Sequence, residues 1–205
     1  KNKLDQILST LGDKLYVLNI KNTVVNYSAP EPLITTSLQQ EASNKLGFNV
    51  QKTMQLAQQL YEGIDINGKP QALITYMRTD SKNMSEQAIQ NAIDFIKEHL
   101  PKEYLLETPN LFKNKVNNAQ EAHECIRPID FFITPDTIKN NMTEDLWELY
   151  NLIWSRSLAT QLPKAKYNQV NIILVNNIKL KEHIHTVSLK TSFIVFDGFK
   201  RIYNI

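Results

Sequence analysis

The chain has 205 residues, 42% of them hydrophobic and 21% charged, with a formal net charge of +2. That length buries a real core and allows one or two domains, and the composition excludes an intrinsically disordered protein. No apolar run approaches the roughly 20 residues a membrane span needs, and the single cysteine, Cys125, excludes an internal disulfide framework and fits a reducing, intracellular compartment.

The chain starts at a lysine without a signal peptide and ends on FKRIYNI, which alternates like a strand, so it reads as a piece of a longer protein. A short amphipathic opening (Leu4, Ile7, Leu8, Leu11) leads into KLYVLNIKNTVVNY, residues 14–27, whose β-branched and aromatic residues predict one or two strands. SAPEP then breaks the ladder, because proline has no N–H to give it. Ser37, with Gln40 three residues on, predicts a capping box for a helix to Leu46, closed by Gly47. A second helix is expected from Val50 to Glu62, with Met54, Ala57, Leu60 and Tyr61 on one face and Gly63 as its stop.

DINGKP reads as a turn-forming loop, and LITYMRT after it as a strand. Ser85 is placed to cap a helix to His99 with Ala88, Ile89, Ala92, Ile93 and Ile96 inward, and Pro101 ends it. A last helix is expected near 143–161, carrying Leu146, Leu149, Tyr150, Ile153 and Leu158. From Tyr167 the β pattern returns as VNIILV, HIHTVSL and FIVF, separated by expected breaks at Asn-Asn and Lys-Thr-Ser. The predicted fold is α+β: a mostly helical domain, 35–164, inserted into a discontinuous β-rich domain of 1–34 and 165–205.

Charge follows this division. From Lys164 onward seven Lys and Arg face two acidic residues, a surplus of five, and the rest of the chain carries −3. A net charge of +2 alone would not mark a nucleic-acid binder.

The stretch LITYMRTDS concentrates reactive side chains. On a strand, Tyr76 and Arg78 face the same way, with Asp80 close behind. A phenol is a poor nucleophile at neutral pH unless its anion or its target is stabilised, and a guanidinium can hold a phosphate by two parallel hydrogen bonds. The plainer alternative is a half-buried strand tyrosine and an arginine paired to Asp80. In EAHECIRP, His123 and Arg127 are four apart and share a face if the segment is helical. Cys125 suits packing better than nucleophilic chemistry, since nothing marks a third orienting group. His183 and His185 are two apart on a strand but lack a third metal ligand at useful spacing. The helix pair 37–62 also has helix-turn-helix form, although Lys45 and Lys52 are thin provision for a DNA groove.

In order and spacing, TTSLQQEASNKLGF, TMQLAQQLYEG, LITYMRTDS, NAQEAHECIRP and YNLIWSRSLATQ followed by AKYNQV resemble the central region of bacterial type IA DNA topoisomerases. The match runs from about Pro32 to Tyr167. The resemblance implies that Tyr76 is the nucleophile, forming a 5′-phosphotyrosyl link to DNA while a 3′-hydroxyl leaves. It implies that Arg78 contacts the scissile phosphate and that His123 lies near the same site, with Asp80 and Arg127 in supporting roles. The fold it implies is a winged-helix-like helical gate carrying the tyrosine, hinged to a β-rich arch.

The family relaxes negatively supercoiled DNA in the cytoplasm, acting on single-stranded or underwound segments. Its members hold Mg²⁺ on acidic residues of an amino-terminal Toprim-type domain, and no cluster of that kind is recognisable in this chain, so the chain alone is expected to be inactive. Two features depart from the family pattern: Cys125 stands where alanine is usual, and the DINGKPQA connection is longer than in some relatives. A different class of reading is a non-enzymatic winged-helix module that places helix 50–62 in the major groove, depends on Lys45 and Lys52, and ignores Tyr76.

Overall fold

In the computed structural model the described residues are Asp5, 14–66, 68–112, 123–176 and 186–204. The expected amphipathic opening and the His183/His185 pair lie outside them. The chain mixes helix and sheet and divides into two compact units, one of residues 1–27 and 165–197, the other of 28–164 and 198–205. Residues 28–34 and 198–205 thus belong with the helices, not with the strands.

The strand unit is a three-stranded antiparallel sheet of β1 (Tyr16–Tyr27), β4 (Ala165–Val175) and β5 (Thr186–Phe196), in the order β1-β4-β5. The expected break at Lys-Thr-Ser does not occur, because those residues continue β5 in register: Lys190 pairs with Asn171, Thr191 with Val170 and Ser192 with Gln169. Lysine, threonine and serine are tolerated there because this edge strand is exposed along almost its whole length.

The helical unit begins with α1 (Thr35–Leu46). It starts two residues earlier than the sequence predicts. Ser37 is not the N-cap but the third helical residue, and its hydroxyl accepts from Ile34 N at 2.9 Å. Gly47, at φ +69°, turns the chain so that its N–H reaches Ser43 O and that of Phe48 reaches Ala42 O. Asn49 then caps α2 (Val50–Glu62) through Lys52 N at 2.8 Å. The buried face of α2 is Thr53, Leu56, Ala57 and Leu60, so Tyr61 is left at the surface. DINGKP proves to be more than a loop. It forms a hairpin of β2 (Ile64–Ile66) and β3 (Lys69–Gln71), in which Asp65 Oδ1 accepts from Gly68 N.

LITYMRT is not a ladder strand. It is an extended connector held by one isolated bridge, Ile74 to Pro128, and by bonds to several different segments: Leu73 N to Leu60 O, Thr75 N to Arg127 O, and Ile129 N to Leu73 O. Pro128 cannot donate, so the bridge cannot extend into a ladder.

Helix α3 (Glu86–His99) is capped by Ser85, whose Oγ accepts from Ala88 N; it buries Ala88, Ile89, Ala92 and Ile96 as its spacing predicts, but Phe95 is buried in place of Ile93, which is only half-buried. After the short α4 (Pro135–Ile138) comes α5 (Glu144–Ala159), with ten of its sixteen residues buried, which makes it the central element. Three of its aromatic side chains donate to carbonyls of the segment beside it: Trp147 to Pro135, Tyr150 to Ile133 and Trp154 to Phe131.

FKRIYNI does not continue as a strand either. Gly198–Arg201 is a 3₁₀ helix that buries Phe199 against this unit. Gly198 has φ +53°, and a Cβ there would lie 2.5 Å from Pro163 O, so only glycine fits. Arg156, buried on α5, donates to Glu31 O, to Glu41 Oε1 and to the Tyr203 hydroxyl, which itself donates to Glu41 Oε2. No helix among the described residues is long and apolar enough to cross a membrane.

Candidate active site

Backbone anchoring decides where the reactive side chains of LITYMRTDS point. Thr35, the first residue of α1, donates its hydroxyl to Met77 O at 2.8 Å and to Thr79 O at 3.0 Å and accepts from Thr79 N at 2.9 Å. From Met77 onward burial alternates, with Met77, Thr79 and Ser81 inward and Arg78 and Asp80 outward. Tyr76 is half-buried. The chain bends at Met77 and Arg78, so the period of two that would make Tyr76 and Arg78 face one way on a strand does not apply here.

Thr75 fixes the neighbouring segment. Its Oγ1 donates to Cys125 O at 2.7 Å and accepts from Arg127 N at 3.0 Å, which clasps residues 125–127 beside the tyrosine. That clasp brings His123 to Tyr76, with ring centroids 5.2 Å apart. On another side of the phenol stands Tyr61, 5.4 Å away in an edge-to-face arrangement. Sequence reasoning placed Tyr61 in a helix face and gave Thr75 no role. Neither carries a local signal, since the partners of Thr75 lie fifty residues further on.

Arg78 and Asp80 do not pair with each other, and neither forms an ion pair among the described residues. Together with Ile34, Thr35, Thr36 and Thr79 they line a recess of about 260 Å³ at the first turn of α1. That turn contains no acidic residue, so the guanidinium and the N–H groups beyond Thr35, whose own N–H donates to Thr79 O, favour an anion there, while Asp80 opposes one.

His123 and Arg127 do not share a helical face. The segment is extended, and Ile126 bridges to Leu33. Arg127 turns back to grip Glu124 with Nε at 2.8 Å and Nη2 at 3.0 Å, and its Nη1 donates to Pro128 O. Only 11% of its side chain is exposed, so its role is to hold this turn. Glu124 in turn accepts from Ser85 N at 2.9 Å, which ties the HECIRP turn to the start of α3. Burial alone would raise the Glu124 carboxyl, but the hydrogen bonds from Arg127 and Ser85 outweigh it and hold the group below its usual range.

Cys125 packs among Met84, Ala88, Ile89 and Ile93, and burial pushes its thiol up to about 12. A thiol that stays protonated at neutral pH is no nucleophile, so packing is its role. Among the described residues no group of three or more His, Cys, Asp or Glu is placed to hold a metal ion. The acidic groups near Tyr76 do not fit an Mg²⁺ site, because Glu124 is committed to Arg127 and Ser85 and Asp80 stands alone.

The whole chain, residues 1–205, matches a family model described as DNA topoisomerase. It is 40% identical over 203 residues to DNA topoisomerase 1 of Rickettsia conorii, covering 99% of this chain and 26% of that protein. To DNA topoisomerase 1 of Campylobacter jejuni it is 37% identical over 204 residues, covering 99% and 28%. Among solved structures, full-length topoisomerase I from Thermotoga maritima superposes with a TM-score of 0.81 at 35% identity, over 98% of this chain and 32% of that one. The chain thus spans about a quarter to a third of the length of these relatives, and within that span it belongs to the bacterial DNA topoisomerase I family, the type IA class.

Proposed function

We propose that the protein containing this chain relaxes underwound DNA by cutting one strand, passing another through the break and resealing it. Tyr76 is the nucleophile in this reading. The observation that carries it is the placement of Tyr76: half-buried, ring to ring with His123, and two residues from the exposed Arg78.

In the cleavage step the Tyr76 oxygen forms a bond to a DNA phosphorus and the bond from that phosphorus to the 3′ oxygen breaks. The phenolic proton is lost and the departing 3′-hydroxyl takes one up. One phosphodiester replaces another, so the bond energy is kept and resealing by the 3′-hydroxyl needs no ATP. Arg78 and His123 offset charge on the phosphate as it is attacked, and the anion-favouring recess at the first turn of α1 supports a strand held across Arg78. Asp80 borders that recess, while Glu124 and Arg127 keep the HECIRP turn in position. The helical unit then serves as the gate, winged-helix-like, and the strand unit as part of its arch. Mg²⁺ enters this reading as a group held by a Toprim-type domain outside this chain.

The rival reading, duplex binding through α2, has less support. Lys52 pairs with Asp145 at 2.7 Å, Lys45 donates to Asn204 O, and both lie over aromatic rings, so the two lysines it needs are already engaged.

In the full-length protein, Tyr76→Phe is expected to abolish covalent protein–DNA adducts, read on a denaturing gel with labelled single-stranded DNA. Adducts at the unaltered level would refute the role of Tyr76. The 205-residue chain alone is expected not to relax supercoiled plasmid in the presence of Mg²⁺, and turnover by it would refute the dependence on a missing domain.

A further inference from the structure

The three-stranded sheet has two unlike faces. On one, Lys21, Asn171 and Lys190 stand opposite one another across β1, β4 and β5, and the next row on the same face is Thr23, Gln169 and Ser192. The other face is mixed: an apolar row of Ile20, Ile172 and Leu189, then Asn22, Val170 and Thr191, then Val24 and Phe193 flanking Asn168. A period of two along each strand separates the sets.

The polar rows line a recess of about 360 Å³. No Asp or Glu occurs in the three strands, so no residue of theirs neutralises the two lysines. Asn171 Oδ1 accepts from the Ser188 hydroxyl at 2.9 Å, which leaves the amide NH₂ as the outward donor between the two ammonium groups. The ends of the row are two strand spacings apart, roughly 10 Å. Further along the same face stand Tyr27 and Tyr167, edge to face at 5.2 Å, with the Gln169 amide donating to the Tyr27 hydroxyl. Tyr27 is exposed.

We propose that this face of the sheet binds single-stranded DNA, with Lys21, Asn171 and Lys190 on its phosphates and the Tyr27–Tyr167 pair against its bases. Charge complementarity selects a polyanion. The aromatic pair beside the cationic row selects a single strand over a duplex, because only unpaired bases offer a face for stacking. The inference rests on the DNA-processing reading given above and adds to it a contact surface on the strand unit, in residues separate from those around Tyr76.

The test uses the full-length protein, a labelled oligothymidine and fluorescence anisotropy over a series of salt concentrations. Replacing both lysines by alanine is expected to reduce the slope of log K against log salt by about 1.4, at about 0.7 per phosphate released on a single strand. Lys21→Arg with Lys190→Arg is expected to keep the wild-type slope, and Tyr27→Ala to weaken binding about fivefold or more with the slope unchanged. A double-alanine slope equal to wild type overturns the proposal, as does an equal loss on duplex of the same length. Adduct formation by Tyr76→Phe would instead overturn the catalytic reading, whatever the slope, so the two failures are separate.

Discussion

The two units of this chain are held together by different physics. In the helical unit, α5 buries ten of its sixteen residues, six of them Leu, Ile or Trp. In the sheet the strands run eleven and twelve residues, yet only Ala165 and Val175 are buried, and the large apolar side chains of β1 and β5 stand about half exposed. The first unit is stabilised by a core, the second by backbone ladders and cross-strand pairs that leave its faces open. The difference teaches where each kind of function can sit. A nucleophile needs a rigid surround that fixes its angle, whereas a surface that meets a long flexible polymer can be flat and solvated.

The same substitution in both units breaks or upholds the comparison most directly. Leu149 is fully buried and Leu189 is 51% exposed. Leu149→Ala is expected to cost about 4 kcal/mol, transfer and cavity together, and Leu189→Ala under about 1 kcal/mol. Equilibrium urea unfolding measures both. Similar costs would mean that the Leu189 face of the sheet is covered after all.

How far the sequence disclosed this arrangement follows the same line. Helices α1, α2, α3 and α5 were readable because most of their buried residues repeat at helical spacing and three of their ends carry explicit signals, Gly47, Gly63 and Ser85. The sheet was readable in outline from its β-branched runs, but the Lys-Thr-Ser of β5 looked like a turn because composition does not reveal that a strand is exposed on both sides. LITYMRT failed as a strand for another reason. Its apolar residues are buried by segments from three parts of the chain, and Thr75 finds its partners in residues 125–127, a distance no local window spans. Tyr76, Arg78, Asp80, His123 and Arg127 stood out through their motifs. Tyr61 beside the phenol did not, and the pairing of Arg127 with Glu124 in place of His123 became clear only once the segment was seen to be extended.

A second test sharpens what is meant by a core. Arg156 is a buried charge inside the apolar unit, 9% exposed in its side chain, and it is tolerated because Glu41, Tyr203 and the Glu31 carbonyl take its donors. The same environment pushes the Tyr203 hydroxyl up to about 12, through burial and its bond to Glu41, so it remains a donor throughout the neutral range. Arg156→Ala is expected to cost about 3 kcal/mol, because Glu41 is then left without its cation. Pairing Arg156→Met with Glu41→Gln should recover a large part of that loss, since the charge and its orphaned partner go together. Failure of the double variant to recover would point to the geometry of the C-terminal segment as the source of the cost.

The smallest expected effect concerns the turn beside the candidate nucleophile. Glu124 has its carboxyl held below the ordinary value of 4.5 by Arg127 and Ser85, against the opposing effect of burial. A carboxylate depressed in the folded state contributes stability that is fully present above its unfolded pKa and is lost as pH falls through the lower folded value. Stability should therefore decline below about pH 4.5, and Glu124→Gln should flatten that part of the profile while costing about 1 kcal/mol at pH 7. The Glu124 contribution belongs to the helical unit, in which Glu124, Arg127 and Ser85 all lie. Near-ultraviolet circular dichroism of the Trp147 and Trp154 environment during acid titration follows the helical unit, and an acid transition unchanged in Glu124→Gln would show that the Arg127 grip does not hold the turn.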